Sequence, residues 1–456
     1  MVLASLYLIG HIEKRSVSYM KAIVAGLVVV IGFTMVSCRK NHDVISVEVK
    51  NDTTVNYARD IYLWFDHIPA SFEAHSYADP NGVMEGIRSY SVEPGFNLPV
   101  DRWSFAILRS DWDKLSTGIG GDFGMNVFFF TNNDLRVSYV ERESPAGKAG
   151  VKRSWHIKQI NGNADITAAN ANDIIQSVYQ STTGTFLFSR PNGADTTITL
   201  RAASYKEHPV LFDSVYTTGG SKTGYFVFNS FLGDTNEIKN EFGRVFDKFN
   251  AQQVQDVVVD LRYNGGGYVS VQNLLANYLV PSAGNNGVML SEEFNAHYSN
   301  YNTTEQFVKK GNLNLGRLFF IVSQNTASAS ELLINSLKPY MDVRLVGPTH
   351  THGKPVGFFP IAVFDWYIFP VSFRTVNKNG DGNYFNGLPL DYQVPDGLDK
   401  DWGDAGEGCL SSVLHYISSG SYGRLGITPQ QSDGLTEEVL YSNTRLGAPK
   451  FKGMIR

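Results

Sequence analysis

A strand that runs into a glycine turn decides the fold: Val257-Val258-Val259-Asp260-Leu261-Arg262 is followed by Tyr263-Asn264-Gly265-Gly266-Gly267. A near-continuous apolar run of this length is typical of a strand that is buried on both faces. The segment from Val269 to Leu279 is predicted to be a helix, and the segment from Leu318 to Val322 is a second apolar strand. This alternation of strand, glycine turn and helix predicts a layered α/β core.

A serine at the start of the next predicted helix is a candidate nucleophile. Thr326-Ala327-Ser328-Ala329-Ser330-Glu331 follows the second apolar strand, and Ser328 with Glu331 also fits the S-x-x-E capping box. The two roles are compatible, because a serine at this place lies at the carboxyl edge of the sheet, where α/β sites form. The N–H of Ala329 would point outward at the positive end of the helix and could stabilise an oxyanion.

The candidate general base is Lys354, 26 positions after Ser328. A serine hydroxyl needs a base to take its proton, and a lysine can serve when burial lowers its pKa. The apolar residues near Lys354 in the sequence predict a pocket that buries its side chain. Gly353 and Pro355 on either side predict a fixed backbone. The alternative is a solvated loop lysine.

The glycine turn is a candidate for the second oxyanion donor, because glycine lets a substrate carbonyl approach the backbone closely. The candidate residues are Gly265, Gly266 and Gly267. A phosphate-binding loop is the alternative, but the G-x-x-x-x-G-K-[ST] arrangement that such a loop needs is absent.

Residues 113–203 are predicted to form a separate β-rich domain, because short alternating strands replace the longer apolar runs. Ser144-Pro145-Ala146-Gly147-Lys148-Ala149-Gly150 and Ile157-Lys158-Gln159-Ile160-Asn161-Gly162 resemble the helix and the turn of a PDZ domain. The usual Gly-Asp is replaced by Ser154-Trp155. The resemblance implies that a peptide adds to a sheet edge, with the substrate-binding turn at Gly118, Ile119, Gly120 and Gly121. A purely structural domain is the alternative.

Residues 204–418 resemble the tail-specific, or C-terminal processing, peptidases. The matching motifs are Gly224-Tyr225-Phe226, Asp260 to Gly267, Ser328 to Glu331, and Gly353-Lys354. The resemblance implies a crotonase-like core over 204–420 and a serine endopeptidase without metal or cofactor. Its nucleophile would be Ser328, its base Lys354, and its oxyanion donors Ala329 with Gly266 or Gly267.

One position departs from the family pattern. Many members place a Gln four residues after the lysine, but Phe358 stands there. His350 and His352 lie close by and are alternative groups for orienting or replacing the base. Phe358 at this position also motivates a rival prediction, in which the protein is a catalytically degraded relative that binds peptides or other ligands. A second rival prediction is a hydrolase that acts on another acyl bond.

The first 37 residues are predicted to be a signal peptide. Lys21 precedes a run of 16 apolar or small residues that ends at Ser37, shorter than the roughly 20 a spanning helix needs. Met35-Val36-Ser37-Cys38 resembles the lipobox of bacterial lipoproteins, which implies lipidation of Cys38 and attachment to the cell envelope. An uncleaved membrane anchor is the alternative, and translation could begin at Met20.

The remaining segments of the sequence complete the prediction of a multidomain α+β protein. Residues 38–53 are assigned to a tether, 54–112 to a small helical domain and 421–456 to a polar tail. The helical domain is expected to begin with a helix whose stripe is Tyr57, Ile61, Trp64 and Phe65, followed by a helix over 80–92.

The amino-acid composition is typical of a protein with several turn-rich domains. The chain has 456 residues, of which 43% are hydrophobic, 13% aromatic and 18% charged. A net charge of −5 gives no argument for nucleic-acid binding. The family resemblance implies a protein or peptide substrate, and the lipobox resemblance implies a membrane as partner through the lipid; the sequence leaves the oligomeric state open.

Overall fold

The computed structural model describes residues 45–423 and 452–456. The described residues from Val47 onward belong to one compact unit, Val47–Arg456. The predicted signal peptide and Cys38 lie outside the described residues. Among the helices of the described ranges, none has the length and apolar character needed to cross a membrane.

The helical region begins inside the stretch predicted to be a tether. Helix α1 (Val47–Ile61) buries Asn51, Thr54, Val55, Ala58 and Ile61, whereas Tyr57 is exposed. The predicted stripe was therefore wrong at Tyr57, and Trp64 lies beyond the end of the helix. Helix α2 (Pro80–Ile87) is capped by Asp79 and ends before 92, in a short 3-10 turn.

Strand β1 (Phe105–Leu108) joins this helical region to the later part of the chain. It pairs antiparallel with β19 (Trp366–Phe369), which also pairs with β18 (Ile361–Val363). Helix α3 (Arg109–Thr117) then leads to the next region.

A five-stranded antiparallel sheet forms most of the region between 119 and 206. Its strands, in spatial order, are β3 (Met125–Thr131), β4 (Asp134–Val140), β5 (His156–Ile160), β6 (Thr183–Ser189) and β7 (Asp195–Arg201). Helices α4 (Pro145–Lys148) and α5 (Ala171–Ile175) cover it. Alternate residues such as Val127, Phe129 and Phe186 point into a hydrophobic core of its own, which accounts for the period of two in the sequence. Strands β2 (Ile119–Gly120) and β8 (Tyr205–Lys206) form a separate ladder.

The central sheet has six strands in the order β21-β16-β15-β11-β10-β9. These are β9 (Val210–Thr218), β10 (Ser221–Phe228), β11 (Asp256–Asp260), β15 (Arg317–Ile321), β16 (Asp342–Gly347) and β21 (Tyr392–Gln393). All are parallel except β9 at the edge.

Both faces of this sheet are covered by helices, as the apolar runs predict. Val257 and Val259 pack into the cluster that contains α6 (Thr235–Ala251), α7 (Val269–Leu279) and α8 (Ala329–Leu337). Val258 points the other way, toward α9 (Gly408–Ser419). All three valines are fully buried, so the strand–turn–helix alternation of the sequence forms a layered α/β core.

A second sheet and a short ladder complete the unit. The order of the sheet is β14-β13-β20-β17, from β13 (Val288–Phe294), β14 (Thr303–Gln306), β17 (Val356–Gly357) and β20 (Phe373–Val376). The ladder joins β12 (Gly266–Tyr268) to β22 (Gly453–Ile455) in parallel. The end of the sequence, predicted to be a polar tail, thus pairs with the glycine turn.

Candidate active site

Ser328 lies in the turn that connects β15 to α8, and its backbone is strained. Its φ of +61° and ψ of −112° are unusual for a residue with a side chain. Such conformations persist where the surroundings enforce them and concentrate at functional sites. The residue is fully buried, and its Oγ has no hydrogen-bond partner among the described residues.

The carboxylate of Glu331 fixes the backbone on both sides of the site. Its Oε2 accepts hydrogen bonds from the N–H of Ser328 at 2.8 Å and the N–H of Lys354 at 2.8 Å. Its Oε1 accepts from Thr351 Oγ1 at 2.6 Å and from the N–H of Gly353 at 2.6 Å. Burial raises the pKa of Glu331, and these four donors act in the opposite direction. One side chain therefore sets the position of the candidate nucleophile relative to the candidate base.

Gly353 provides the turn that leads into Lys354. Its φ is +91°, and a Cβ at this position would lie 2.3 Å from the carbonyl oxygen of Phe385. Only glycine fits this turn without displacing the neighbouring backbone.

Lys354 is fully buried, and burial lowers its pKa well below the ordinary value for lysine. The Nζ atom lies 3.6 Å from the ring centroid of Phe358 and 5.7 Å from that of Trp103. It donates a hydrogen bond of 3.3 Å to the carbonyl oxygen of Lys452. Ser328 Oγ has no partner among the described residues, so no hydrogen bond joins it to Lys354 Nζ in this structure.

Gly266 and Gly267 lie beside the start of α8. Their φ values are +101° and +143°, and a Cβ on Gly266 would lie 3.0 Å from the backbone nitrogen of Ala329. The N–H of Gly266 donates to Asn264 Oδ1 at 2.9 Å. The N–H of Gly266 therefore has a partner within the turn, and Gly267 belongs to the β12–β22 ladder.

The two histidines have partners other than the serine and the lysine. His352 accepts a hydrogen bond of 2.9 Å from the indole N–H of Trp103, and burial lowers its pKa well below the usual value. His350 bonds to the side chain of Gln324 at 2.9 Å. His352 therefore forms part of the wall around Lys354, and neither ring is hydrogen-bonded to it.

The predicted peptide-binding turn is paired with another part of the chain. Ile119 and Gly120 pair antiparallel with Lys206 and Tyr205 in the β2–β8 ladder. Gly118 has a left-handed conformation, with φ +68°, and ends α3. Gly121 has open space where a Cβ would be. The predicted turn is thus paired with β8, whereas β3 lies at an edge of the five-stranded sheet.

Comparison with known proteins decides the family. Residues 222–383, which include Ser328, Lys354 and the glycine turn, match the family described as Peptidase family S41. The chain contains an S41 peptidase domain. The predicted family is therefore confirmed.

Relatives and a solved structure agree with the S41 assignment. The chain is 25% identical over 275 residues to the carboxy-terminal processing protease CtpB of Bacillus subtilis, covering 59% of this chain and 53% of the relative. It is 22% identical over 305 residues to a CtpA-like serine protease of Staphylococcus epidermidis, covering 65% and 55%. The chain thus spans about half the length of the curated relatives it matches. The first relative is named a carboxy-terminal processing protease and the second a probable CtpA-like serine protease.

The fold is similar to a crystal structure described as an S41 protease from Bacteroides fragilis. The TM-score is 0.65 at 22% identity, over 80% of this chain and 97% of that one. This likeness extends well beyond the S41 domain and supports a multidomain α/β fold.

A buried charge network below the glycine turn of the S41 domain was not anticipated from the sequence. Arg262 is fully buried and bonds to Asp260 at 2.7 Å, Asp396 at 2.8 Å and Glu407 at 2.8 Å. Burial alone would raise the pKa of Asp396, but Arg262 and Arg153 lower it to about 2. The network holds the end of β11, from which the turn begins. Two of the three partners, Asp396 and Glu407, come from a distant part of the chain, so spacing in the sequence carried no signal for the network.

Two further features of the candidate site were not predicted from the sequence. Glu331 was noticed only as a capping-box residue, although it also holds the loop before Lys354. Lys452, in a segment with no apolar pattern, contacts the catalytic lysine candidate. Only the capping box gave a signal that could have identified the first of these.

Proposed function

We propose that this protein is a serine endopeptidase in which Ser328 and Lys354 form the catalytic dyad. The observation that carries the proposal is the buried Glu331 carboxylate, which accepts hydrogen bonds from the backbone N–H groups of both residues. A buried lysine with a lowered pKa is available as a neutral base. A strained serine at a helix start suits the nucleophile of acyl transfer.

The reaction begins when Lys354 accepts the proton of Ser328 Oγ and the oxygen attacks a peptide carbonyl. The N–H groups of Ala329 and Gly267 stabilise the oxyanion, because both lie at the carboxyl edge of the central sheet. The ammonium of Lys354 then gives its proton to the leaving amine, and water hydrolyses the acyl ester with the lysine again as base. The Nζ atom must exchange Lys452 O for Ser328 Oγ before the first step.

Two substitutions test the dyad directly. Ser328→Ala and Lys354→Ala should each lower the rate of cleavage of an unstructured protein by at least about 100-fold, the range expected for loss of a nucleophile or a general base. The change should appear in kcat. Cleavage by either variant at the parental rate would contradict the proposal.

The sheet of residues 113–203 is proposed to be a PDZ-like domain that presents unstructured or C-terminal segments to the site. A cavity of about 170 Å³ supports this, since its lining joins Met125, Tyr139 and Tyr179 of the domain to Gly265 of the glycine turn. A peptide that adds to Ile119–Gly120 would first displace β8. Tyr205→Ala removes the ring packed on Gly120 and should lower the Kd for an unstructured peptide several-fold. Unchanged binding would argue for a purely structural domain.

The substrates are proposed to be extracytoplasmic, because Cys38 follows a signal-peptide pattern and would carry a lipid in the cell envelope. Cys38→Ser should move the protein from the membrane fraction to the soluble fraction of the cell envelope. Retention in the membrane fraction would favour an uncleaved anchor.

A binding protein with a degraded site is the second candidate. It is favoured by the absence of a hydrogen bond at Ser328 Oγ among the described residues and by Phe358 at the expected Gln position. Tight peptide binding without turnover, and no reaction of Ser328 with a serine-directed probe, would support it.

A further inference from the structure

The groove beside the glycine turn holds a strand from the end of the sequence. Gly266, Gly267 and Tyr268 of β12 pair in parallel with Gly453, Met454 and Ile455 of β22. The N–H of Gly453 donates to the carbonyl oxygen of Gly265 at 3.1 Å. An extended backbone is thus bound to the element that supplies the oxyanion donor.

The opposite side of the same strand is bound by the loop after Lys354. The N–H of Phe358 donates to the carbonyl oxygen of Met454 at 2.9 Å, and the N–H of Arg456 donates to the carbonyl oxygen of Phe358 at 3.3 Å. Backbone hydrogen bonds on both edges are how a sheet recognises an extended peptide. The groove between Gly266–Tyr268 and Phe358, here called the strand groove, therefore has the form of a peptide-binding site.

Side chains of this segment fill pockets of the strand groove. Met454 is fully buried in the main core cluster and Ile455 is nearly so. At the ends, Arg456 pairs with Glu292 at 3.2 Å, and Lys452 Nζ donates to the carbonyl oxygen of Gln324 at 3.4 Å. The groove thus suits an extended peptide with two adjacent apolar residues between basic ones.

The same segment engages the catalytic groups. Lys354 Nζ donates to the carbonyl oxygen of Lys452, while Ser328 Oγ has no partner among the described residues. The carbonyl oxygen of Gly453 comes so close to Gly266 that a Cβ there would lie 2.5 Å from it, beside the Ala329 nitrogen. With the segment bound, the base is hydrogen-bonded to the segment and not to the nucleophile, and the backbone of the glycine turn is covered by β22.

We propose that Lys452–Arg456 is an intramolecular pseudosubstrate that keeps the S41 domain latent. The proposal rests on the proposed peptidase function and names its ligand class, an extended peptide that competes for the strand groove. When such a substrate displaces the segment, the carbonyl of Lys452 leaves and Lys354 Nζ turns to Ser328 Oγ. The occupant is the segment of the same chain, since β22 belongs to the compact unit 47–456.

Deletion of residues 452–456 tests the proposal. The truncated protein should cleave an unstructured substrate at least about 10-fold faster than the full chain at substrate concentrations below KM, because competition for the groove is removed. The acetylated peptide Lys-Gly-Met-Ile-Arg should inhibit the truncated protein competitively and return its rate to that of the full chain. A peptide of the same composition in the order Met-Lys-Ile-Arg-Gly is the control and should not inhibit.

A second variant covers the case in which the deletion destabilises the fold. Met454→Asp in the full chain should expel the strand, because a carboxylate in this pocket would be buried without a partner. It should be activated like the truncated protein and inhibited by the same peptide. A folded Met454→Asp protein with unchanged activity, or a truncated protein that unfolds and is not rescued by the peptide, would show that β22 is only a structural strand.

Peptide binding is also measured without catalysis. The labelled peptide should bind the truncated protein carrying Ser328→Ala, observed by fluorescence anisotropy, and should not bind the full chain. If it binds while no variant cleaves protein, the peptidase function fails and the strand groove stands. If the truncated protein cleaves but does not bind the peptide, the latency proposal fails alone. Activity of the full chain that falls as its concentration rises would assign the segment to a second copy and overturn the intramolecular proposal.

Discussion

Lys354 is the buried group whose titration we expect to control the activity of this site. The burial of Lys354 was predictable from its local sequence, in which a glycine and a proline flank it. A serine at the start of helix α8 was predictable as well. The aromatic wall of Phe358 and Trp103 was not, because Trp103 lies about 250 positions away and reaches the site only through tertiary packing. The cation–π contacts favour the ammonium, but complete burial outweighs them and the pKa is lowered.

Replacing the lysine with an apolar residue should stabilise the protein at neutral pH. The folded-state pKa of Lys354 is lowered below its unfolded-state value. Folding at neutral pH therefore requires the lysine to lose its proton or to bury its charge. This cost in free energy disappears only above pH ~10.4, where the unfolded chain is also neutral at this residue. Compared with Lys354→Met, the parent should therefore gain stability as the pH rises, by up to about 1.4 kcal/mol per pH unit. Urea unfolding at pH 7 and pH 9.5 measures the difference. Parallel pH profiles for the two proteins would contradict the lowered pKa.

The activity should follow the same titration. Because the neutral amine is the base, kcat/KM should fall as the pH decreases through the folded-state pKa of Lys354, with a slope of one proton. A rate profile between pH 5 and 9 is the measurement. An increase in activity toward acid pH would assign the base to another group.

At the scale of elements, helix α8 and the loop before Lys354 act as one piece through Glu331. The sequence predicted the central strands and helices because their apolar residues follow periods of two and 3.6. It failed for α1, whose buried face includes polar Asn51 and Thr54 in place of Tyr57. It also failed for β22, a three-residue strand that forms only because the groove supplies partners on both edges.

Glu331→Gln should show whether Glu331 positions the loop before Lys354 or only caps helix α8. The amide nitrogen of the glutamine would face two N–H or O–H donors that the carboxylate now binds, so the free energy of unfolding should fall by about 1–3 kcal/mol and kcat should fall with it. Glu48→Gln, in the exposed first turn of α1, is the matched control and should change neither quantity. Thermal unfolding and steady-state kinetics give both readouts. Full activity in Glu331→Gln would remove the residue from the site.

At the scale of the whole unit, buried charges tie the β-rich region to the central sheet. Arg153 is almost fully buried, bonds to Asp396 at 2.7 Å and to Tyr263 Oη at 2.9 Å, and stacks over Trp402 at 4.0 Å. Composition and motif order predict several regions in this order along the chain. The ion network between them could not be predicted, because its members lie up to 243 positions apart.

Arg153→Met should test how much this contact stabilises the unit. Removing one partner of a buried ion pair leaves Asp396 with less compensation, and we expect a loss of roughly 3 kcal/mol. Lys158→Met breaks an exposed ion pair with Asp195 in the same region and should lower the free energy of unfolding much less, because solvent screens this pair. Urea unfolding of the two variants provides the comparison. Equal losses would mean that the buried network is not a major link.

The measurement that tests the central claim most directly is reaction with a fluorophosphonate probe, followed by mass spectrometry of the labelled peptide. Only an activated serine reacts at an appreciable rate. The account predicts a single adduct on Ser328 in the parent and, more rapidly, in the protein that lacks residues 452–456. It also predicts almost complete loss of labelling in Lys354→Met, which the stability argument expects to remain folded. An adduct on a different serine, or equal labelling of Ser328 with and without Lys354, would contradict the Ser328–Lys354 dyad.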